Sequence, residues 1–326
     1  MHRMTHAVRI HSYGGPEVLR WESIEVPDPG PGQVRVRHTA IGLNFIDTYE
    51  RTGLYAVTFP AVLGREAAGV VEAVGPRVNQ IKIGDRVAYA FNSSGAYSEA
   101  RVLPAERLVR IPDSVEDKEA AALMLKGLTA QMLLRQVYRV RKGNTLLIHA
   151  AVGGVGSVLV QWAKHLGATV IAVVGTTEKA QRARELGADH VLLSGEDWQA
   201  QTKTATGGRG VDVVYDSVGK DTFIGSLDTL RPRGLMVSYG NASGPVPPVA
   251  PLELSKRGSL FLTRPTLFHY IPTRAALMRA ATEMLDLVAK SVIKVQVGQV
   301  YPLQEAARAH TDLEARRTIG ATVLVP

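Results

Sequence analysis

A glycine-rich turn is the strongest candidate binding motif in the sequence. The stretch His149-Ala150-Ala151-Val152-Gly153-Gly154-Val155-Gly156 follows a short apolar run and opens a helical pattern. Glycines let the backbone turn tightly and approach a phosphate, and a helix N-terminus offers N–H groups and a positive dipole end. The spacing departs from G-x-G-x-x-G, because an alanine stands where the first glycine would be. We predict that this turn binds a dinucleotide pyrophosphate; the alternative is a glycine-rich turn without a ligand. The predicted contacts are Ala150, Gly153, Gly154, Val155 and Gly156.

The end of the next apolar run bears on which dinucleotide is bound. An NAD site usually carries an acid about 20 residues further on, where it binds the adenosine ribose. Here the chain reads Gly175-Thr176-Thr177-Glu178-Lys179, with a small residue at that place and a cation soon after. This arrangement leaves room and charge for a 2′-phosphate, so it favours NADP(H) bound by Gly175, Thr176 and Lys179. Glu178 leaves NAD(H) open, and Lys179 has the alternative of an ordinary exposed helix residue.

The elements that must position these residues change in type along the chain. From Asn144 onward, apolar runs alternate with helical patterns, which predicts parallel strands with helices on both faces. Residues 1 to about 112 instead contain short alternating runs such as Val34–His38, which predict an antiparallel barrel or sandwich. The C-terminal residues resemble the first third. We therefore predict a nucleotide-binding domain inserted into a β-rich domain.

A helical region is predicted to join the two kinds of pattern. It starts near Pro112, carries acids in its first turn and continues to Leu125. We expect Gly127 to interrupt it, with a second helical segment from Thr129 to Val137.

Composition excludes several classes of protein. The 326 residues contain no cysteine, which removes disulfides, iron–sulfur clusters, thiol nucleophiles and thiolate zinc sites, and we expect a cytoplasmic protein. No apolar stretch approaches the roughly 20 residues of a membrane span. The net charge of +8 comes from scattered basic residues, so we expect no nucleic-acid partner, and part of the excess suits a phosphorylated ligand.

Motifs along nearly the whole chain resemble one known family. The matching segments are Asn44–Tyr49, Gly84–Val87, Lys126–Thr129, Gly143–Lys164, Tyr215–Gly219 and Leu262–Pro265. They resemble the quinone oxidoreductases and ζ-crystallins of the medium-chain dehydrogenase/reductase superfamily. The resemblance implies an α/β protein in which a Rossmann domain, a doubly wound parallel sheet that binds NADP(H), is inserted into a GroES-like β-rich catalytic domain. We place the Rossmann domain at residues 126–264 and the catalytic domain at 1–125 plus 265–326. The resemblance also implies homodimers joined through Rossmann edge strands, with Ser259–Thr263 as the candidate here.

The positions of the zinc ligands in related enzymes bear on the reaction class. Zinc-containing relatives hold their metal with an early cysteine and with the histidine of a Gly-His-Glu motif. The corresponding places here carry Asn44 and Gly64-Arg65-Glu66, so we predict no metal site. Without a metal to acidify an alcohol, the site suits hydride delivery to an acceptor that is already electrophilic. We predict NADPH-dependent quinone reduction. The alternatives are a zinc-free alkenal or enone reductase, and a cofactor-binding protein without catalysis, crystallin-like or RNA-binding.

Five side chains are candidates for the catalytic site. Asn44 would hydrogen-bond a ligand oxygen in the space of the lost metal, or cap a loop. Asp47 would orient Asn44 or Arg65, or serve as an acid at a helix start. Tyr49 and Tyr55 would donate to a quinone oxygen and stack on its ring, or be half-buried core aromatics. Arg65 would stabilise negative charge on the acceptor oxygen, or form a salt bridge to Asp47 or to the glutamate that follows it.

Further cofactor contacts are implied by the resemblance. Asn241 is also supported by its place after a strand, because ligands of open α/β sheets bind at the carboxyl ends of the strands. The C-terminal arginine of this set would reach the 2′-phosphate, although Arg317 stands beside it. The implied contacts are Lys126, Thr129, Ser217, Asn241, Arg264 and Arg316.

Overall fold

The computed structural model describes residues 3–326 and divides into two compact units. Met1 and His2, which open the predicted first domain, lie outside the described residues. The first unit holds residues 3–128, 271–289 and 295–326, and the second holds 129–270 and 290–294. The division therefore falls three residues after the first predicted boundary and six after the second, and a five-residue segment returns to the second unit.

The elements of residues 3–326 are mainly short strands in the first unit and alternating strands and helices in the second. The strands are β1 Arg3–Ile10, β2 Arg20–Val26, β3 Gln33–Leu43, β4 Ala61–Val62, β5 Glu66–Val74, β6 Arg86–Ala90, β7 Ala100–Pro104, β8 Val109–Arg110, β9 Thr145–His149, β10 Thr169–Val174, β11 His190–Leu193, β12 Val211–Asp216, β13 Leu230–Ser238, β14 Phe261–Thr263, β15 Val297–Pro302 and β16 Ala321–Val325. The helices are α1 Phe45–Thr52, α2 Asp117–Gln131, α3 Gly154–His165, α4 Thr177–Glu185, α5 Trp198–Ala205, α6 Phe223–Thr229, α7 Pro251–Lys256, α8 Leu267–Tyr270, α9 Arg274–Ala289 and α10 Ala306–Glu314. None of the helices within the described range has the length and apolar character needed to cross a bilayer.

The first unit is built on a mostly antiparallel sheet. Its strands follow the order β15-β16-β3-β5-β6-β8, with β7 also paired to β3, and β2-β1-β4 form a second sheet. Along β3, Val34 and Val36 are buried while Arg35 and Arg37 face outward or lie half-buried, as the two-residue period of a strand requires. The buried residues of both sheets form one apolar core that includes Ile41, Tyr89 and Leu108. The predicted β-rich architecture is therefore present.

The second unit is a parallel sheet of six strands in the order β11-β10-β9-β12-β13-β14. Strands β9, β10 and β12 are buried almost throughout, because helices cover both faces of such a sheet. The sequence prediction of a doubly wound parallel sheet is confirmed. Strand β14 lies at an edge, and its Phe261 and Leu262 side chains are 61% and 39% exposed.

The predicted interruption of the helix at Gly127 is wrong. Helix α2 runs without a break through Gly127 to Gln131, and a π-helical turn follows at Met132–Val137. A Cβ atom at Gly127 would lie 2.3 Å from the Met284 sulfur of α9 and 2.8 Å from Leu123 Cδ1. The glycine thus makes room for the Met284 side chain of α9 and does not mark a change of backbone direction.

Candidate functional site

The glycine-rich turn of the second unit joins β9 to α3. Ala150 takes up the left-handed conformation with φ of 49°, which is the conformation that glycine adopts most readily. The Gly153 N–H donates to Ala150 O at 2.9 Å and closes the turn. Helix α3 begins at Gly154, and its first N–H groups have no carbonyl one turn earlier to bind. The structure therefore sets unused donors and a helix dipole at the predicted pyrophosphate position.

Gly156 is the position where this turn has no space for a side chain. A Cβ atom there would lie 2.2 Å from Ala150 O and 2.9 Å from Ala151 C. At Gly153 the corresponding distance to Ala150 O is 3.2 Å. The helix start thus lies directly on the turn, and only a bare backbone fits at Gly156, as at the glycine that lets helix and strand pack closely in dinucleotide-binding turns.

The predicted adenosine end lies where β10 meets α4. Thr176 is the N-cap of α4, and its hydroxyl accepts a hydrogen bond from Lys179 N at 3.2 Å. Gly175, Thr176 and Glu178 are exposed, and Lys179 is half-buried. A Cβ atom at Gly175 would meet only Ser194 Oγ, at 4.0 Å. The carboxyl end of β10 is therefore open, and Lys179 lies in the first turn of α4.

Three predicted cofactor residues come together at the carboxyl ends of β12 and β13. Ala242 N donates to Ser217 O at 3.1 Å, which pairs the two loops. Arg264 Nη1 donates to Gly240 O at 3.2 Å, and the Asn241 amide oxygen, oriented toward the guanidinium, accepts from Arg264 Nη2 at 3.2 Å. A Cβ atom at Gly240 would lie 2.3 Å from Ser217 O. Ser217, Asn241 and Arg264 thus form one cluster, as a shared binding site requires.

Asp216 is a positioning residue that the sequence predictions did not include. Val218 N and Gly219 N donate to its Oδ1 at 2.7 and 3.1 Å, and Thr222 Oγ1 donates to its Oδ2 at 2.7 Å. The carboxylate therefore fixes the loop that carries Ser217. The available signal was an acid at the end of an apolar strand, a place where its cost of burial has to be offset by backbone donors.

In the first unit, Asn44 begins helix α1. Its backbone N–H donates to Asp47 Oδ2 at 2.9 Å, in a capping box. The Asn44 side chain donates through Nδ2 to Glu66 Oε1 at 2.8 Å and, more weakly, to Gly42 O at 3.3 Å. Asn44 therefore caps helix α1, and the Glu66 carboxylate fixes the position of its side chain.

Glu66 is the centre of a buried polar cluster. Lys126 Nζ and Leu125 N donate to its two carboxylate oxygens, each at 2.5 Å. Glu66 is fully buried and the Lys126 side chain is 6% exposed, so this is an ion pair in the core of the unit. A Cβ atom at Gly42 would lie 2.2 Å from Glu66 Oε1. One of the three ammonium hydrogens of Lys126 thus binds Glu66. The contact of Lys126 with the cofactor stays a prediction.

The partner of Arg65 differs from both acids that the sequence suggested. Its guanidinium donates to Glu50 Oε1 through Nε at 2.9 Å and through Nη2, and to Asn92 O. The Glu50 side chain is 1% exposed and also accepts from Ser94 Oγ at 2.6 Å. The predicted salt bridge to Asp47 or Glu66 is therefore wrong, since Glu50 faces Arg65 from one turn further along α1.

Tyr49 and Tyr55 are in contact. Their ring centroids lie 5.5 Å apart at an interplanar angle of 75°, an edge-to-face arrangement. Tyr55 N donates to Tyr49 O at 3.0 Å, which holds the loop after α1 against the helix. Tyr49 is buried and Tyr55 half-buried, so the pair offers one accessible ring supported by one buried ring.

Two of the cofactor residues implied by resemblance stand apart from these clusters in the chain. Thr129 is half-buried in the last turn of α2. Arg316 follows α10 with φ of 58°, its N–H donates to Leu313 O at 3.0 Å, and it is exposed. Arg317 beside it pairs with Asp312 at 3.1 Å. The roles of Thr129 and Arg316 stay predictions.

Comparison with known proteins places the chain in a family. A model described as a zinc-binding dehydrogenase matches residues 154–290, and one described as an alcohol dehydrogenase GroES-like domain matches residues 30–113. The chain is 52% identical over 99% of its length to the whole of a quinone oxidoreductase of Pseudomonas aeruginosa. The chain belongs to the quinone oxidoreductase family.

Two further relatives of this chain are informative. A 2-haloacrylate reductase of a Burkholderia species is 49% identical, with 99% of each chain covered. The crystal structure of Escherichia coli quinone oxidoreductase complexed with NADPH matches with a TM-score of 0.97 at 48% identity, covering 98% of this chain and 100% of that one. These likenesses confirm the predicted family, and they confirm the GroES-like and Rossmann folds. The prediction that this chain binds no metal stays a prediction.

Proposed function

We propose that the chain catalyses NADPH-dependent reduction of quinones by hydride transfer without a metal. The observation that carries this proposal is the full-length likeness, at about half identity, to quinone oxidoreductases, one of which is described as complexed with NADPH. The residues of both units agree with that chemistry.

The second unit fits NADPH. The first N–H groups of α3 would hold the pyrophosphate, and Gly156 keeps the helix start directly against the turn, because a side chain there would collide with Ala150 O. Thr176 and Lys179 would take the 2′-phosphate, and Ser217, Asn241 and Arg264 would bind the nicotinamide end, with Thr129 and Arg316 as further contacts. When bound, NADPH supplies the hydride, and the protein supplies orientation and a site poor in water.

The first unit fits a planar acceptor. The accessible ring of Tyr55, supported by Tyr49, would stack on a quinone, and a phenol hydrogen would stabilise negative charge developing on the quinone oxygen. The Asn44 amide, fixed by Glu66, would bind the second oxygen. Because the Glu50 carboxylate neutralises its guanidinium, we do not assign Arg65 a charge-stabilising role.

A steady-state assay tests this function. We expect rapid NADPH oxidation with 1,4-benzoquinone and 9,10-phenanthrenequinone, slow oxidation of NADH, and turnover unchanged after dialysis against a chelator. The likeness to a 2-haloacrylate reductase favours one second function, reduction of an activated alkene. Fast turnover of 2-alkenals or 2-chloroacrylate with negligible turnover of both quinones would replace the quinone proposal with that one. NADPH binding without turnover of either class would indicate a crystallin-like or RNA-binding protein.

We also propose a homodimer joined through β14, which lies within the segment Ser259–Thr263 that the family resemblance implies as the dimer edge. An edge strand carries unpaired N–H and C=O groups, and here it also exposes Phe261 and Leu262. Light scattering after size exclusion should give a dimer for the wild type and a monomer for Phe261→Asp. A dimer that survives this substitution would place the interface elsewhere. The cytoplasmic location stays a prediction.

A further inference from the structure

A chain of buried side chains links helix α1 to helix α10 inside the first unit. Tyr97 Oη lies 3.0 Å from Asp47 Oδ2 and 3.0 Å from His310 Nε2. Arg51 Nη1 lies 3.0 Å from His310 Nδ1, and Arg51 Nη2 binds both Glu314 oxygens at 2.7 and 2.9 Å. Asp47, Tyr97, His310 and Arg51 are at most 1% exposed. We call Arg51, His310 and Tyr97 the relay.

The hydrogen bonds of the relay all have the same direction. Arginine only donates, so His310 Nδ1 must be the acceptor and the ring must be neutral, with its hydrogen on Nε2. Burial, together with the charge of Arg51, lowers the pKa of His310 to about 3, which agrees with a neutral ring. His310 Nε2–H therefore donates to Tyr97, and the Tyr97 hydroxyl donates to Asp47. Every hydrogen in the chain is directed from the Arg51 cation toward the Asp47 carboxylate.

Asp47 receives these bonds on one oxygen alone. Its Oδ2 accepts from both Tyr97 and the Asn44 backbone, whereas Oδ1 is buried and has no hydrogen-bond partner among the described residues. A buried carboxylate with an unpartnered oxygen is costly unless charge elsewhere compensates it. The position of Asp47 therefore depends on its hydrogen-bonded oxygen, and Oδ1 is the atom that would take a proton.

The charged and titratable groups around Asp47 act in opposite directions. Burial first, and then the Glu50 carboxylate, raise the pKa of Asp47 to about 7, while the Asn44 and Tyr97 hydrogen bonds and the charge of Arg65 oppose them. Arg51 of the same helix contributes a cation, and His310 of α10 contributes a neutral ring. The ionisation of Asp47 thus falls within the working pH range, so the loss of a single donor would shift it measurably.

We propose that the relay positions the acceptor site: it holds Asp47 as the anion, and Asp47 in turn fixes the start of α1 from which the Asn44 amide projects. Tyr97 and His310 are therefore positioning residues for quinone reduction, acting through Asp47 and Asn44. Protonation of Asp47 on Oδ1 weakens Oδ2 as an acceptor, loosens the capping box and lowers turnover at acid pH. This inference rests on the proposed function.

The first test compares pH profiles of kcat/KM for a small quinone at saturating NADPH, from about pH 5.5 to about pH 9. The wild type should lose activity below an apparent pKa near 7. Tyr97→Phe removes a donor to the anion, so its acid limb should move up by about one pH unit while kcat/KM returns to the wild-type level at the alkaline end. The matched control is Tyr301→Phe, which removes a tyrosine hydrogen bond to Asp312 elsewhere in the same unit, and its profile should overlay the wild type.

Two outcomes of this test would overturn the relay while leaving the quinone activity in place. One is a Tyr97→Phe profile that coincides with that of the wild type. The other is a loss of activity that is equal at every pH, since that is what a packing defect alone would produce. A wild-type protein that turns over no quinone would instead contradict the proposed function.

A second measurement does not depend on activity. Nitrogen-15 NMR of the wild-type protein should show a neutral His310 with its hydrogen on Nε2 down to about pH 5. The signal is assigned by its disappearance in His310→Gln. A charged ring, or a hydrogen on Nδ1, would break the direction of the chain and refute the relay.

Discussion

Replacing Gly156 by alanine tests the phosphate turn most directly. The added Cβ would lie 2.2 Å from Ala150 O, where such atoms essentially never approach closer than 3.0 Å, so the turn or the helix start must move by about 0.8 Å. The obstacle is backbone on both sides, which cannot rotate away as a flexible side chain would. Overpacking of this kind costs about 1–3 kcal/mol of folding free energy. We expect the displaced helix start to lose a similar amount of binding free energy, which corresponds to an affinity about 5- to 150-fold lower.

A graded glycine series supplies the controls. Gly153→Ala places its Cβ 3.2 Å from the same oxygen, and Gly195→Ala, in the same unit but outside the predicted cofactor contacts, meets no atom within 4 Å. We expect the dissociation constant of NADPH, measured by fluorescence titration or calorimetry, to rise most for Gly156→Ala, modestly for Gly153→Ala and hardly at all for Gly195→Ala. Thermal unfolding of each variant without nucleotide separates local displacement from global loss of structure.

The reasoning would be refuted by a different ranking. If Gly156→Ala binds NADPH as tightly as the wild type, the close approach of turn and helix has no role in holding the pyrophosphate. If Gly195→Ala weakens binding as much as Gly156→Ala at unchanged stability, contact distance at the backbone is not what controls affinity.

Three further predictions concern the cofactor choice and the buried charges. Lys179→Ala should raise KM for NADPH about tenfold, on the order of 1.4 kcal/mol, and leave NADH nearly untouched; equal effects on both nucleotides in steady-state kinetics would rule out a 2′-phosphate contact. Glu66→Gln leaves the Lys126 ammonium buried without its carboxylate, so urea denaturation should show a loss of about 3–5 kcal/mol, and the double variant with Lys126→Met should recover much of it; no recovery would mean that the ion pair is not the cause. Burial lowers the pKa of His38 to about 4. As the pH falls from about 6.5 toward 4, His38 is therefore protonated in the unfolded chain and stays neutral in the native state. Lowering the pH from 7 to 5 should therefore reduce the unfolding free energy of the wild type by about 2 kcal/mol through His38. Parallel denaturations of His38→Gln should lack this part of the decrease.

The sequence alone predicted the elements and motifs that depend on neighbours in the chain. The alternation of apolar runs and helical patterns predicted the parallel sheet, because strand and helix periods are local properties. The turn from Ala150 to Gly156 could be placed for the same reason, since its glycines, the preceding strand and the following helix are contiguous. Even the close approach at Gly156 is a contact with residues only five and six positions earlier.

Only the tertiary structure decided which distant side chains meet. Gly127 had the sequence pattern of a helix breaker, yet it lies inside α2 because Met284 needs its space. Arg65 was expected to pair with a nearby acid, and the fold gives it Glu50. Tyr97 and His310 are 213 residues apart, so no local pattern could join them to Asp47. The physical reason is common to all three: a buried charge or donor takes whichever complementary group the packing brings within about 3 Å, and that choice is made by the whole fold.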